Sequence, residues 1–233
     1  MDTKRINAVP DTAGSGAKGK GTACLQWYSR HIFPYIEILI TSGLRKIRRR
    51  LLCHARGRVV EIGAGAAGNL AHLPATTHSY LATDPSMLMV DKAKQQILRR
   101  GKPAFEAWVI RADAAHIPLG NETADTIISL LVLCSVPDPF AALSEIYRVL
   151  RPGGRFLFFE HVLAARSSTI RLQNLVNPVW KRLGGGCHLN RETAGYIAQS
   201  GFRFEKFRYY RTARMGPSIT SNVIEGVAGK KWG

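Results

Sequence analysis

Three carboxylates and a glycine-rich turn stand at spacings that can hold a nucleoside. Val59-Val60-Glu61-Ile62 is an apolar run that passes directly into Gly63-Ala64-Gly65-Ala66-Ala67-Gly68. This G-x-G-x-x-G turn lets backbone lie close to a ligand and lets a helix start against it. Glu61 precedes the first glycine by two residues, and Asp84 follows it by 21, at the end of the next apolar run. A carboxylate there can accept from both hydroxyls of a ribose. Asp113 closes a third run in Arg111-Ala112-Asp113-Ala114. Loops that cradle a pyrophosphate are seldom flanked by an acid. Glu61 therefore points to a cationic ligand without phosphate, bound through a charge-assisted hydrogen bond to an ammonium group.

A second set of residues could act on a substrate. His161 is the candidate general base, with Glu160 beside it as an orienting partner. Cys134 and Ser135 follow the fourth apolar run, on the rim where doubly wound sheets bind ligands, and are expected in the substrate pocket. Trp180 is expected on a helix that roofs this pocket, with His188 nearby. The Cys187-His188 pair has no further ligands at metal-binding spacing, so no metal site is expected.

The elements needed to position these groups can be read from the pattern. Strands are expected at Arg58–Ile62, Ser79–Thr83, Ala107–Arg111, Thr126–Leu131 and Arg155–Phe159, with final strands at Phe202–Tyr210 and Ser221–Ala228. Helical periodicity marks Met87–Arg100, Phe140–Leu150, residues 170–183 and Arg191–Ser200, and Pro152-Gly153-Gly154 is expected to stop the second of these. Strands alternating with helices give an α/β fold, here a doubly wound, mostly parallel, seven-stranded sheet. Upstream, Ile32, Phe33, Ile36, Ile40, Leu44, Ile47 and Leu51 recur at helical spacing with Arg45, Lys46, Arg48, Arg49 and Arg50 between the last of them. The chain thus divides into a flexible basic arm over 1–23, an amphipathic basic helical segment over 24–57, and a catalytic domain over 58–233. The helical segment either caps that domain with its basic side in water or lies on an anionic membrane surface.

Charge is partitioned along the chain. The 33 Lys+Arg and 16 Asp+Glu give a net of +17, made of +9 over residues 1–58, −2 over 59–150 and +10 over 151–233. A near-neutral middle with basic flanks suits an anionic surface or substrate. The longest apolar run is too short to span a bilayer, and the first 23 residues lack the apolar core of a secretory signal. A cytoplasmic, membrane-peripheral location is expected, and the four scattered cysteines suit a reducing compartment.

The pattern over residues 58–160 resembles the class I S-adenosylmethionine-dependent methyltransferases, whose cofactor is a cation without phosphate. By that resemblance Glu61 and Gly63 lie near the methionine part, Asp84 holds the ribose and Asp113 accepts from the adenine amino group. Ala64, Gly65, Gly68, Asn69, Pro85, Met89, Ala114, Leu131 and Val132 complete the expected cofactor site. Four further blocks occur in order: Leu131-Val132-Leu133-Cys134-Ser135-Val136, Arg148-Val149-Leu150-Arg151-Pro152-Gly153-Gly154, Phe159-Glu160-His161-Val162 and Gly186-Cys187-His188-Leu189-Asn190-Arg191-Glu192. Together they are similar to the methyltransferase-like seven family, whose animal members are membrane-associated alkyl-thiol methyltransferases. The resemblance implies methyl transfer to a small or lipophilic acceptor, a thiol first. A phospholipid amine, a quinone-type ring and a hydroxyl are the alternatives. Nucleic acid is disfavoured, because the fourth run leads into Leu133-Cys134-Ser135-Val136-Pro137 instead of the Asn/Asp-Pro-Pro-aromatic loop used on base amino groups.

Overall fold

The computed structural model describes Tyr35 and residues 43–99 and 104–230. The arm over 1–23 and most of the expected helical segment lie outside these residues. Helix α1 spans Arg45–Leu52, followed by β1 (Gly57–Ile62), β2 (Thr77–Asp84), α2 (Met87–Arg99), β3 (Glu106–Arg111), β4 (Ala124–Leu130) and α3 (Pro139–Val149). Next come β5 (Leu150–His161), α4 (Ser167–Leu183), α5 (Thr193–Gln199), β6 (Arg203–Arg211) and β7 (Asn222–Gly229). The seven strands form one sheet in the order β3-β2-β1-β4-β5-β7-β6. The β1–β2, β2–β3, β1–β4 and β4–β5 pairs are parallel, whereas β7 runs antiparallel to both β5 and β6. The chain reverses its direction of travel across the sheet between β1 and β4, and ligands bind at such a point beyond the carboxyl ends of the strands.

Both faces of the sheet are covered. On one, Val60, Ile62, Ile127, Phe156, Phe158 and Ile224 meet Ala142, Leu143, Ile146 and Val149 of α3 and Ile197 of α5. On the other, Val59, Tyr80, Ile128, Leu157, Phe159 and Val223 meet Leu44 and, from α1, Ile47, Leu51 and Leu52. Burying each of the leucine, isoleucine and valine side chains of these helices contributes about 2 kcal/mol. The apolar face of residues 45–52 is thus turned to its own domain. Its basic side is not wholly in water: Arg48 is largely buried beside Gly68, and Arg50 forms a 2.5 Å ion pair with Glu225.

Two local departures bear on the site. No α-helix follows the glycine-rich turn. Residues 65–69 form turns and only Leu70–His72 is a short 3-10 segment, because Ala67 takes a left-handed conformation (φ 54°) and interrupts helical dihedrals. Strand β5 also begins at once after α3, so Pro152-Gly153-Gly154 lies within a bulged strand instead of a separate turn. Asp138 caps α3 by accepting from the backbone N–H groups of Phe140 and Ala141, with Pro139 in the first turn.

Candidate active site

The carboxyl ends of β1, β2, β3, β4 and β5 surround a cleft of about 370 Å³. Strand order divides it into halves, because β2 and β3 lie on one side of β1 and β4 and β5 on the other. Asp84, Pro85, Ser86, Met89, Asp113 and Ala114 line the first half; Cys134, Ser135, Val136, Pro137, His161, Trp180 and Cys187 line the second. Gly63, Leu131 and Val132 stand at the junction. The cleft also takes Met215, from a 3-10 turn before β7, and the Gly184-Gly185 turn after α4.

The first half is built to accept hydrogen bonds. Asp84 is only 8% exposed; its Oδ2 accepts from Gly65 N–H at 3.0 Å and its Oδ1 from Ser86 N–H at 2.9 Å. Each oxygen has accepted one bond and retains lone-pair capacity for a diol. Burial pushes its carboxyl up, and the two backbone donors work against that. Asp113 Oδ1 accepts from Ala115 N–H at 2.9 Å, which fixes the acid at the end of β3. Gly63 is left-handed (φ 55°), and a Cβ there would fall 2.5 Å from Val132 Cγ2, so only glycine lets β1 and β4 meet under the cleft. Leu131 is also left-handed (φ 63°), held by a 2.7 Å bond from its N–H to the Phe159 carbonyl. Such strain in a bulky residue persists only where its surroundings enforce it.

Glu61 does not line the cleft. It lies beneath the glycine-rich turn, accepting 2.5 Å hydrogen bonds from Asn69 Nδ2 and Tyr80 OH. Burial pushes its carboxyl up to about 7, against the pull of Tyr80, Asn69 and the nearby Arg48 cation. Glu61 thus anchors the turn, as do the Ala64 N–H bond to the Thr83 carbonyl and the Gly65 bond to Asp84. Ala64, Gly65, Gly68 and Asn69 belong to this anchored turn and are likewise not among the lining residues.

The second half differs from the sequence reading in its partners. Glu160 is fully buried, accepting from Ser129 Oγ (2.6 Å), Val132 N–H (3.2 Å) and Cys134 N–H (3.1 Å). It staples the loop after β4 and is not the orienting partner of His161; adjacent residues of a strand face opposite ways. His161 is 7% exposed and its Nδ1 lies 3.4 Å from Cys187 Sγ, while its Nε2 has no hydrogen-bond partner among the described residues. Cys187, which no spacing signalled, lines the cleft, whereas His188 does not. The His188 N–H bond to the Cys134 carbonyl (2.8 Å) brings the two segments together. Hydrogen bonding between the thiols holds Cys187 below the usual range and Cys134 well above it.

Helix α4 roofs this half with an inverted pattern. Its buried side chain is the polar Gln173, which accepts from Ala164 N–H (2.8 Å) and donates to the Val162 and Ile219 carbonyls. One and two turns on, Asn177 accepts from Leu189 N–H (2.9 Å) and Trp180 lines the cleft. Leu172, Leu175, Val179 and Leu183 are exposed, Leu175 by 76%.

No described lysine or arginine is among the lining residues, although the chain carries a net +17. A phosphate-rich ligand would find no counter-charge, whereas a cationic nucleoside meets two carboxylates. S-adenosylmethionine fits that pair of acceptors. Residues 60–158 match the methyltransferase domain family. The chain is 26% identical over 219 residues to a thiol S-methyltransferase of Rattus norvegicus, covering 87% of this chain and 89% of that one. It is 30% identical over 183 residues to a thiol S-methyltransferase of Homo sapiens, covering 73% and 75%. The crystal structure of an S-adenosylmethionine-dependent methyltransferase from Mesorhizobium loti superposes with a TM-score of 0.59 at 20% identity, over 81% of this chain and 98% of that one.

Proposed function

Because the chain belongs to the methyltransferase-like seven family of S-adenosylmethionine-dependent methyltransferases, we propose that its methyl acceptor is a small, lipophilic thiol. One observation carries this choice. The acceptor half of the cleft holds apolar groups, two thiols, the Ser135 hydroxyl and one imidazole, and no carboxylate among its described lining residues. An ammonium-bearing acceptor such as a phospholipid amine would lose its hydration there without gaining a counter-charge. A thiol loses little on transfer, and at a pKa near 8.5 a few per cent of it is already ionised at neutral pH.

The bound cofactor supplies an electrophilic methyl group on a sulfonium centre. Asp84 takes the ribose hydroxyls, Asp113 the adenine edge, and Met89, Pro85 and Leu131 bound the nucleoside. Transfer is an in-line displacement, so the protein contributes alignment and exclusion of water. Trp180 and Met215 close the acceptor half over His161, the residue we place at the acceptor's sulfur. The exposed leucines of α4, with Arg171, Lys181 and Arg182 on the same helix, support delivery of the acceptor from an anionic lipid surface. No helix among the described residues is long and apolar enough to cross a membrane.

The test is a matched acceptor panel: an alkyl thiol, its alcohol and amine analogues, a phospholipid amine and a quinol, each free and in anionic vesicles. Methylation of the thiol is expected, with the longer-chain thiol faster in vesicles. Asp84→Ala should bind the cofactor about 100-fold more weakly, since two hydrogen bonds to a charged acceptor are lost. Turnover of the amine with silence on every thiol would overturn the acceptor assignment.

A further inference from the structure

Cys134, His161 and Cys187 come from three distant parts of the chain: the loop after β4, the last residue of β5 and the turn after α4. All three are buried, all three line the acceptor half of the cleft, and one ligand atom from each lies within 4.8 Å of the other two. Donor atoms sharing one tetrahedral zinc are about 3.3–3.8 Å apart, given bonds of about 2.3 Å to sulfur and about 2.0 Å to nitrogen. The 3.4 Å separation of Cys187 Sγ from His161 Nδ1 already meets this. The remaining pairs, within 4.8 Å, need to close by about 1.3 Å or less. Two thiols and an imidazole are a soft donor set that selects zinc over magnesium or calcium.

The surroundings fit a metal centre better than ordinary packing. Buried cysteines in cores behave as small hydrophobes, but these two touch each other and an imidazole at the wall of a cleft. Each ligand is fixed by backbone. Cys134 N–H is held by Glu160 and its carbonyl by His188 N–H, Cys187 N–H donates to the Gly184 carbonyl (3.0 Å), and His161 pairs with Val223. These contacts fix the backbone positions from which the three side chains project. Zinc with two thiolates is electrically neutral until the acceptor thiolate adds one negative charge. We propose that Cys134, His161 and Cys187 form a three-ligand zinc site whose fourth position opens into the cleft and takes the sulfur of the acceptor.

This deepens the thiol reading and rests on it for the identity of the fourth ligand. The acceptor thiol binds as a thiolate and its proton passes to solvent water. The sulfur lone pair then forms the new S–CH3 bond as the cofactor's sulfonium C–S bond breaks and its electron pair stays on the departing thioether sulfur. The methylated acceptor is a neutral thioether, a weak ligand that leaves the metal. His161 is then a metal ligand in place of the general base of the sequence reading.

The experiment uses the full chain, purified in a phosphine reductant, loaded with zinc and dialysed against metal-free buffer. Wild type should retain about one zinc per chain by mass spectrometry, as for a three-ligand open site. Cys134→Ser and Cys187→Ser should retain about tenfold less or lower, with melting and cofactor affinity confirming that they fold. In the cobalt-loaded protein an alkyl thiol should shift the visible and thiolate charge-transfer bands, and its alcohol analogue should not. Zinc retention no greater than in the double Cys134→Ser, Cys187→Ser variant overturns the site. Retained zinc with a cobalt spectrum blind to thiol, in a protein that methylates that thiol, overturns the fourth ligand. Absence of methylation on every thiol sinks the acceptor reading, while the zinc count stands or falls on its own.

Discussion

Glu61 is the residue whose type was informative and whose position was misleading. An acid two residues before the glycine turn reads as a ligand contact, yet its carboxyl faces Tyr80 and Asn69 under the turn. Its folded value of about 7 lies above the 4.5 of a free side chain because burial disfavours the charge. A raised acid binds its proton more tightly when folded. The stability it contributes is therefore complete below about pH 4.5 and is lost as pH rises towards 7. The loss is on the order of 3 kcal/mol. Glu61→Gln has no proton to release, so its unfolding free energy should be flatter than that of wild type across pH 4.5–7. Denaturant melts at several pH values check this, and parallel curves would show that Glu61 does not titrate there. Asp84 and Asp113, by contrast, were legible, because a carboxylate at the end of a strand can be placed from local pattern alone. Cys187 was not: its partners lie 26 and 53 positions away in a numbering whose folding brings them together, and no local spacing encodes that contact.

At the level of elements, the alternation of short apolar runs with helical periodicity located all seven strands to within a few residues, since β-strands and helices impose different periods. The ends were less legible. The Pro152-Gly153-Gly154 stretch has turn composition but lies within β5 as a bulge between Leu150 and Arg155, both of which pair with β4. Strand β7 shows how tightly the antiparallel part is built. A Cβ on Gly226 would lie 2.3 Å from the Lys206 carbonyl oxygen on β6 and 2.5 Å from Phe158 Cζ on β5. Gly226→Ala must push β6 away from β7 or displace the core phenylalanine. The expected loss is about 3 kcal/mol, the upper end for overpacking, or roughly 6–12 °C in a chain of this size. Thermal melting measures it directly, and an unchanged midpoint would mean that the edge strand gives way freely.

Over the whole molecule, residues 43–54 of the first basic flank meet the second in space. Arg50 of α1 reaches Glu225 on β7 and Tyr210 on β6, Lys206 on β6 lies 3.2 Å from His54, and Arg214 bonds the Gly43 carbonyl. Glu225 is the acid that permits this. Burial pushes its carboxyl up, but the Arg50 and Tyr210 hydrogen bonds outweigh burial and leave it below the usual range. Arg50 is 44% exposed and Glu225 6%, so the pair lies between surface and core behaviour. Arg50→Ala should cost about 1–2 kcal/mol by leaving Glu225 buried without its cation. Adding Glu225→Gln should recover much of that. Equal losses in the single and double variants would deny the coupling.

The inverted face of α4 has a thermal consequence. A cover attached through apolar side chains exposes oily surface when it lifts, and its opening then carries a large positive heat-capacity change that makes its enthalpy strongly temperature-dependent. Gln173 and Asn177 exchange protein partners for water instead, and Leu172, Leu175, Val179 and Leu183 are wet whether the cover is shut or open. Lifting α4 should therefore change heat capacity little, so the enthalpy of opening, set by the hydrogen bonds that break, should stay nearly constant with temperature.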